Sequence, residues 1–304
     1  MSETTRASAP PRAVPLAELA ARHGLSVSGA RPSLPAYVRQ LWARRHFITA
    51  FSRAKLAAQY SQAKLGQLWQ VATPLLNALV YFLIFGVILG ARGGMDNQDY
   101  VPFLVAGVFV FAFTQNSVMS GVKSISGNLG MVRALHFPRA SLPIAFSLQQ
   151  LQQLLYSMIV LAAITIGFGH YPVWTWLLIV PALLLQFVFN AGLAMIFARL
   201  GSHTPDMAQL MPFVLRTWMY ASGVMFPLRA MIEERSSIPV WVADVLEANP
   251  AAVYMDLIRY AMIDTPQYSG VPGLTWAYAL GWALLIGIGG FVYFWKAEER
   301  YGRG

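Results

Sequence analysis

The chain has 304 residues, of which 57% are hydrophobic and only 12% are charged. Its mean hydropathy is +0.51, and a soluble protein of this length does not easily bury so much apolar surface. The absence of cysteine excludes disulfides, thiol catalysis and cysteine-bound metals. The five histidines have no metal-binding spacing, and no P-loop or nucleophile motif occurs, so we predict no metal site and no catalytic residue.

The first 33 residues are rich in Pro, Ala, Ser and Arg. They lack the apolar segment of about 7–15 residues that marks a secretory signal peptide. We predict that residues 1–33 form a disordered cytoplasmic tail.

Residues 34–66 are predicted to form a basic amphipathic helix that does not cross the membrane. Val38, Leu41 and Trp42 follow the i, i+3, i+4 spacing of one helix face. A basic helix with aromatic residues is typical of the headgroup layer, although a cytoplasmic helix that packs on the bundle is the alternative. The basic residues on this segment are Arg39, Arg44, Arg45, Arg53 and Lys55.

Six long apolar stretches follow, each of about 19 residues or more, which is enough to cross a hydrocarbon core of about 30 Å. We therefore predict an all-α integral membrane domain with six transmembrane helices over residues 67–304. The stretches are Val71–Leu89, Tyr100–Val122, Leu142–Phe168, Val173–Ala198, Met207–Phe226 and Leu274–Trp295.

The placement of the basic residues predicts the orientation of these spans. If the spans alternate in direction, 17 of the 22 Lys and Arg residues lie on the side of the termini and four on the other side. The positive-inside rule then puts both termini in the cytoplasm. This topology explains the net charge of +9, so we predict membrane lipids and no nucleic acid as partners.

Polar side chains inside two spans are candidates for a channel lining. Gln149, Gln152, Gln153 and Tyr156 share one face of the third span, and Arg216 lies inside the fifth. Such groups are costly in lipid, so we expect them to face a neighbouring helix or an aqueous or sugar-lined path. Hydrogen bonding between helices explains the glutamines equally well.

Residues 229–272 are too long for a simple turn and contain two apolar pieces too short to cross. Asn249-Pro250 separates the pieces. We predict two short re-entrant helices in the outer leaflet before the last span, with an ordinary surface helical hairpin as the alternative.

Three segments together resemble the ABC-2 type permeases that export polysaccharide. The first combines Leu65-Gly66, Trp69, Pro74 and Phe85-Gly86 after the basic helix. The second is MVRALHFPRASLPIA at 131–145, and the third is NPAAVYMDLIRYAMI at 249–263. In this order, with six spans, the combination is specific.

The resemblance implies a half-transporter. A second copy would complete a 12-span homodimer, and two copies of a separate ATPase subunit would bind ATP and Mg, so we expect no cofactor in this chain. The loop 123–141 would form a cytoplasmic coupling helix against the ATPase. The residues predicted for that contact are Arg133, His136, Phe137, Pro138 and Arg139.

The resemblance also implies the substrate and its path. A glycan on a polyprenyl diphosphate would enter from the cytoplasmic side of the inner membrane, with the basic helix attracting its diphosphate. O-antigen, capsule, teichoic acid and galactan are all open as substrates. The short outer helices would gate the exit, with Asn249, Pro250, Tyr254, Asp256 and Arg259 as the predicted gate residues.

Three other interpretations compete with a polysaccharide exporter. An ABC-2 permease for a drug or a small lipid is the nearest, although such permeases typically lack the long basic helix and the F-P-R loop. A polyprenyl-linked membrane glycosyltransferase belongs to another class and would require acidic motifs that we do not find. A passive channel would need no ATPase.

Overall fold

The structure is a computed structural model that describes residues 32–59, 61, 64–90, 94–135, 137–233, 239, 241–263 and 272–301. Nearly all of the predicted N-terminal tail, as well as His136, lies outside the described residues. The described part is helical and contains no strand, which confirms the all-α prediction at this level.

The segment predicted to be one amphipathic helix contains two helices at the start of the described chain. Helix α1 is followed at Arg44 by a single turn residue, and α2 ends before the short connection to the first span. The first span changes from an α-helix into a π-helix near its end, and a short helix lies between spans two and three. In chain order these elements are α1 (Leu34–Ala43), α2 (Arg45–Gln59), α3 (Trp69–Tyr81), the π-helix Phe82–Ile88, α4 (Asn97–Ser124) and α5 (Leu129–Ala134).

The second half of the chain contains three long helices and a group of short ones. The short helices precede the last long helix, in the region where the sequence predicts two outer helices. In chain order the helices of this half are α6 (Ser141–Gly167), α7 (Ile179–His203), α8 (Met207–Ala221), α9 (Leu228–Glu233), α10 (Trp241–Glu247), α11 (Pro250–Ile263) and α12 (Pro272–Trp295).

Five described helical segments are long and apolar enough to cross a membrane. Their lengths range from 20 to 30 residues. They correspond to the first, second, third, fourth and sixth predicted spans. The segments are Trp69–Ile88, Asn97–Ser124, Ser141–Gly167, Trp174–His203 and Gly273–Trp295.

The fifth predicted span is not confirmed as a single helix. Helix α8 has 15 residues and ends at Ala221, so at about 1.5 Å per residue it is roughly 22 Å long. The chain then turns through Gly223, which has a positive φ of 64°. A turn at this point redirects the chain towards α9 before the apolar stretch has ended, because glycine adopts this backbone conformation without steric cost.

Helix α4 is the centre of the bundle. Its side chains are buried along most of its length, and Tyr100, Leu104 and Val110 are fully buried. Helices α6, α7 and α11 pack around it. Helices α7 and α12 also approach closely, because Gly192 lies against the backbone of Ile286 and Gly290 lies against the backbone of Gly192, so a Cβ at either position would strike the opposite helix.

Candidate functional site

The first and last described segments of the chain meet at one end of the bundle, which we call the basic end. The Tyr37 hydroxyl donates to Glu298 Oε2 at 2.7 Å and accepts from the Ala140 backbone N–H at 3.1 Å. The Arg139 N–H donates to Glu298 Oε1 at 2.9 Å, and the Arg139 guanidinium contacts the Glu298 main-chain oxygen. These residues, which we call the Glu298 cluster, join α1, the loop before α6 and the end of the chain.

Burial controls the electrostatics of this cluster. Removal from water raises the pKa of the Glu298 carboxyl, and the hydrogen bonds from Arg139 and Tyr37 partly oppose that shift. Removal from water also raises the pKa of the Tyr37 phenol, reinforced by the negative charge of Glu298. The phenol therefore acts as a neutral hydrogen-bond donor across the physiological pH range.

The predicted coupling residues divide into packed and exposed groups. Phe137 packs on Phe47 of α2, with ring centroids 5.4 Å apart, and Pro138 is buried. Arg139 is half-buried within the Glu298 cluster, and only Arg133 on α5 is exposed among the four described residues. The structure therefore places α5 rather than the F-P-R segment at the surface, and the side chains of Leu129 and Leu135 are exposed beside Arg133.

The basic residues of α1 and α2 mostly point to the surface. Arg39, Arg44, Arg45 and Arg53 are exposed, whereas Lys55 lies over the rings of Phe51 and Phe146. The opposite face of α2 packs on α6 through the buried residues Ile48, Ser52 and Leu56. Helix α2 therefore has one exposed basic face and one packed face. Both a helix in the headgroup layer and a cytoplasmic helix packed on the bundle require this arrangement.

Two of the predicted channel glutamines form hydrogen bonds with α2. Gln149 Nε2 donates to Gln59 Oε1 at 3.1 Å, and Gln152 Nε2 donates to the Ser52 hydroxyl at 3.1 Å. Tyr156 and Arg216 are exposed on the outside of the described bundle. These positions agree with hydrogen bonding between helices for Gln149 and Gln152.

Gln153 lines a polar cleft of about 340 Å³ between α3, α4 and α6, with Gln59 of α2 at its edge. We call it the amide cleft. Nine of its lining residues carry an amide or a hydroxyl group, and the remaining six are apolar. The polar members are Gln59, Thr73, Asn77, Gln115, Asn116, Ser120, Gln150, Gln153 and Ser157.

The sequence prediction missed most of this cleft. Gln150 lies off the face shared by Gln149 and Gln153 and is not among the predicted residues, yet its Nε2 donates to the Ser120 hydroxyl on α4 at 3.3 Å. The adjacent amides Gln115 and Asn116 interrupt an apolar span, and this interruption is the sequence feature that indicates a polar site on α4. Asn77 of α3 joins them only because of how the helices pack.

Arg259 is the best-contacted of the predicted gate residues. Its guanidinium donates to the main-chain oxygens of Phe103, Gly223 and Val224 at 3.0–3.3 Å. It also pairs with Asp256 at 3.1 Å. Because Gly107 has no side chain, the guanidinium can lie against α4, and it therefore connects α11, α4 and the turn after α8.

Asn249, Pro250 and Tyr254 hold the start of α11 in place. Asn249 Oδ1 accepts from Trp218 Nε1 at 2.7 Å and from the Ala251 N–H at 3.1 Å, as an N-terminal capping residue does. Pro250 begins the helix, where its missing N–H costs little. The Tyr254 hydroxyl donates to the Ala279 main-chain oxygen of α12 at 2.9 Å.

Arg229 connects α9 to α10. Its guanidinium lies 2.6 Å from Glu247 and 2.7 Å from Asp244, and Glu233 is 3.8 Å away. Hydrogen bonds donated to the Glu247 and Asp244 carboxylates raise the pKa of this guanidinium further above its ordinary value. Among the described residues, no group of three or more His, Asp or Glu side chains is placed to hold a metal ion.

These helices define an integral membrane protein with a polar cleft inside its helix bundle. The chain belongs to the ABC-2 type transporter family, whose model matches residues 46–263. That range includes residues 65–86, 131–145 and 249–263, which are the three segments that carry the resemblance in sequence.

Relatives in this family have transport names. The chain is 26% identical to the O-antigen export system permease protein RfbA of Myxococcus xanthus over 197 residues, which cover 65% of this chain and 74% of that protein. It is 22% identical to the polysialic acid transport protein KpsM of Escherichia coli, over 71% of this chain and 81% of that protein. It is 23% identical to the inner membrane transport permease YadH of Escherichia coli (strain K12), over 76% and 87%.

Proposed function

We propose that this chain is the membrane-spanning permease subunit of an ATP-driven exporter. It moves a polyprenyl-diphosphate-linked polysaccharide from the cytoplasmic side across the inner membrane. The observation that carries the proposal is the family match over residues 46–263, together with relatives named for O-antigen export and polysialic acid transport.

The positions of the chain ends support six crossings. The Glu298 cluster brings residues 37, 139 and 298 to the same end of the bundle. Spans three and four return the chain to that end at His203, whereas the last span must start at the opposite end in order to finish at Glu298. We therefore propose one further crossing, through α8 and the turn after it, and the excess of basic residues on the side of the termini supports their placement in the cytoplasm.

Helix α5 is the proposed contact with the ATPase. It is exposed at the basic end between spans two and three, and Arg133 provides a positive charge for an acidic groove on the partner. Phe137, Pro138 and Arg139 hold this helix against α2 and the Glu298 cluster. The ATPase, in two copies, binds ATP and Mg and drives the permease homodimer between two states.

The exposed arginines of α1 and α2 are the proposed entry site for the lipid diphosphate. Arg39, Arg44, Arg45 and Arg53 form a positive surface at the basic end. Guanidinium groups bind phosphate oxygens through paired, charge-assisted hydrogen bonds. The same surface attracts anionic membrane lipids, so entry of the substrate and attachment to the headgroup layer depend on one set of charges.

Purification of the tagged chain in mild detergent tests the ATPase requirement. We expect a separate subunit with a P-loop to co-purify in equal amount. Recovery of the chain alone, under conditions that preserve known complexes, would contradict the proposal. Glycosyl transfer by the purified chain alone would instead establish the membrane glycosyltransferase alternative.

An ABC-2 permease for a drug or a small lipid is the second candidate. The name of YadH states transport without a substrate, so the similarity to YadH supports this alternative as much as it supports polysaccharide export. Deletion of the chain's gene distinguishes them. Accumulation of lipid-linked glycan inside the cells supports polysaccharide export, whereas normal surface glycan with altered drug resistance or lipid composition supports the alternative.

A further inference from the structure

The amide cleft lies among segments that are long enough to cross a membrane. Asn77 is on α3, Gln115 and Asn116 are on α4, and Gln150 and Gln153 are on α6. Its volume of about 340 Å³ falls in the range of roughly 300–1,000 Å³ that is typical of small-molecule sites. A polar cavity in this position is costly unless a polar ligand or water occupies it.

The side chains around the cleft are already arranged for hydrogen bonding. Gln150 is 6% exposed and is held by its bond to Ser120. The side-chain oxygen of Gln153 is buried and accepts no hydrogen bond from the described residues. Because buried acceptors normally have a donor, this oxygen requires a partner from outside the described chain.

The lining chemistry selects for uncharged polar ligands. Amides and hydroxyls both donate and accept hydrogen bonds, as sugar hydroxyls do. None of the described lining residues is ionisable, so the cleft has no cation to neutralise a phosphate or a carboxylate. The partly exposed apolar residues Pro74, Ala112 and Met119 provide surfaces for the carbon faces of sugar rings.

We infer that the amide cleft binds an uncharged sugar segment of the transported glycan and disfavours acidic sugars. The inference rests on the proposed function, because it requires that a glycan reaches the bundle. It adds the class of sugar to the proposed function and assigns binding of the diphosphate and binding of the sugars to different parts of the chain. The diphosphate contacts the arginines of α1 and α2, whereas the neutral sugars contact the amides of α3, α4 and α6.

Photo-crosslinking in cells that export the glycan tests the inference. The cross-linker p-benzoylphenylalanine replaces Gln153 of α6 in one chain and Asn77 of α3 in a second. The matched control carries it at Ile159, which is on the same helix as Gln153 and 69% exposed. Each purified adduct is stained for periodate-oxidisable carbohydrate, and its released glycan is analysed by anion exchange.

We expect carbohydrate on the chains labelled at 153 and 77, with uncharged sugar at the cross-link, and none on the chain labelled at 159. Export that continues while neither cleft position captures carbohydrate overturns the inference and leaves the proposed function intact. Capture of an acidic sugar also overturns it. If the chain moves no glycan at all, the proposed function fails first, and the glycan assay in the deletion strain detects this separately.

Substitution of the amides provides a second measurement. Asn116→Ala or Gln115→Ala is expected to raise the apparent KM for glycan roughly fivefold, which is the effect of losing about one hydrogen bond. Thr217→Ala, at an exposed position on α8, serves as the control. An unchanged KM in both amide variants, with normal expression, contradicts binding at the cleft.

Discussion

The Tyr37 hydroxyl donates a 2.7 Å hydrogen bond to the Glu298 carboxylate, across 261 positions of sequence. The same hydroxyl accepts from the Ala140 N–H, and the carboxylate accepts from the Arg139 N–H. The amphipathic helix, the proposed coupling region and the end of the last span are therefore parts of one packed unit.

Removal of the Tyr37 hydroxyl tests the strength of this connection. Tyr37→Phe leaves a buried carboxylate with one hydrogen bond fewer, and hydrogen bonds to charged groups contribute about 1.5–3 kcal/mol. We expect a melting temperature several degrees lower in detergent, measured by thermal unfolding. Tyr293→Phe, at an exposed ring, is the control and is expected to melt like the wild type. Equal melting of the two variants would show that the bond is not stabilising.

Glu298 makes stability depend on pH. Because burial raises its pKa in the folded state, the folded chain holds this proton more tightly than the unfolded chain does. The free energy of unfolding is therefore highest below the ordinary pKa of 4.5, falls as the pH rises through the raised pKa, and is level above it. Glu298→Gln removes this contribution, so melting curves across the pH range should be flatter than those of the wild type. Parallel curves would contradict the assignment.

Gly107 tests the packing around Arg259. A methyl group at this position would lie 2.8 Å from the Val224 oxygen and would also strike the Arg259 guanidinium. We expect Gly107→Ala to destabilise the protein by about 1–3 kcal/mol, as overpacking does. Gly281→Ala, at a position in α12 with open space around it, is the matched control. Thermal unfolding that does not distinguish the two variants would argue against the packing described.

Arg133 and Arg139 are expected to differ although both lie in the predicted coupling loop. Charge reversal at both positions is predicted to uncouple the ATPase. The structure separates their contributions, because Arg133→Glu changes an exposed charge, whereas Arg139→Glu disrupts the Glu298 cluster. We expect Arg133→Glu to lower transport-coupled ATP hydrolysis, and Arg139→Glu to lower the melting temperature by more than Arg133→Glu does.

Normal coupling in the double variant would refute the contact with the ATPase. A melting temperature lowered as much in Arg133→Glu as in Arg139→Glu would instead assign Arg133 a packing role. Both quantities are measured on the reconstituted complex, with ATP hydrolysis recorded in the presence and absence of glycan substrate.

Deletion of residues 1–30 is expected to leave insertion and export intact. This truncation retains Pro32, whose main-chain oxygen accepts a 3.0 Å hydrogen bond from Trp295 Nε1. Deletion of residues 1–33 removes that acceptor and is expected to lower the melting temperature. Loss of surface glycan in the shorter deletion would show that the tail contributes to export.

The sequence predicts the two short helices at α10 and α11 but not the contacts that hold them. Asn249-Pro250 correctly predicts a break before a helix, because proline disfavours the helical conformation of the residue before it. The role of Arg259 is different: its partners are backbone oxygens of α4 and of the turn after α8. No periodicity in α11 reveals those partners, since they depend on the approach of other segments.

The sequence by itself determined the membrane class, the helical architecture and the uneven distribution of basic charge. These properties depend on the length and hydropathy of each segment, which are local. Only the tertiary structure decided that α8 stops after 15 residues, that Gln150 rather than Gln152 joins Gln153 in the amide cleft, and that Glu298 meets Tyr37. Those outcomes depend on how helices distant in sequence are rotated and shifted along their axes against one another. The residue pattern of a single helix is compatible with several such arrangements, so it does not select one.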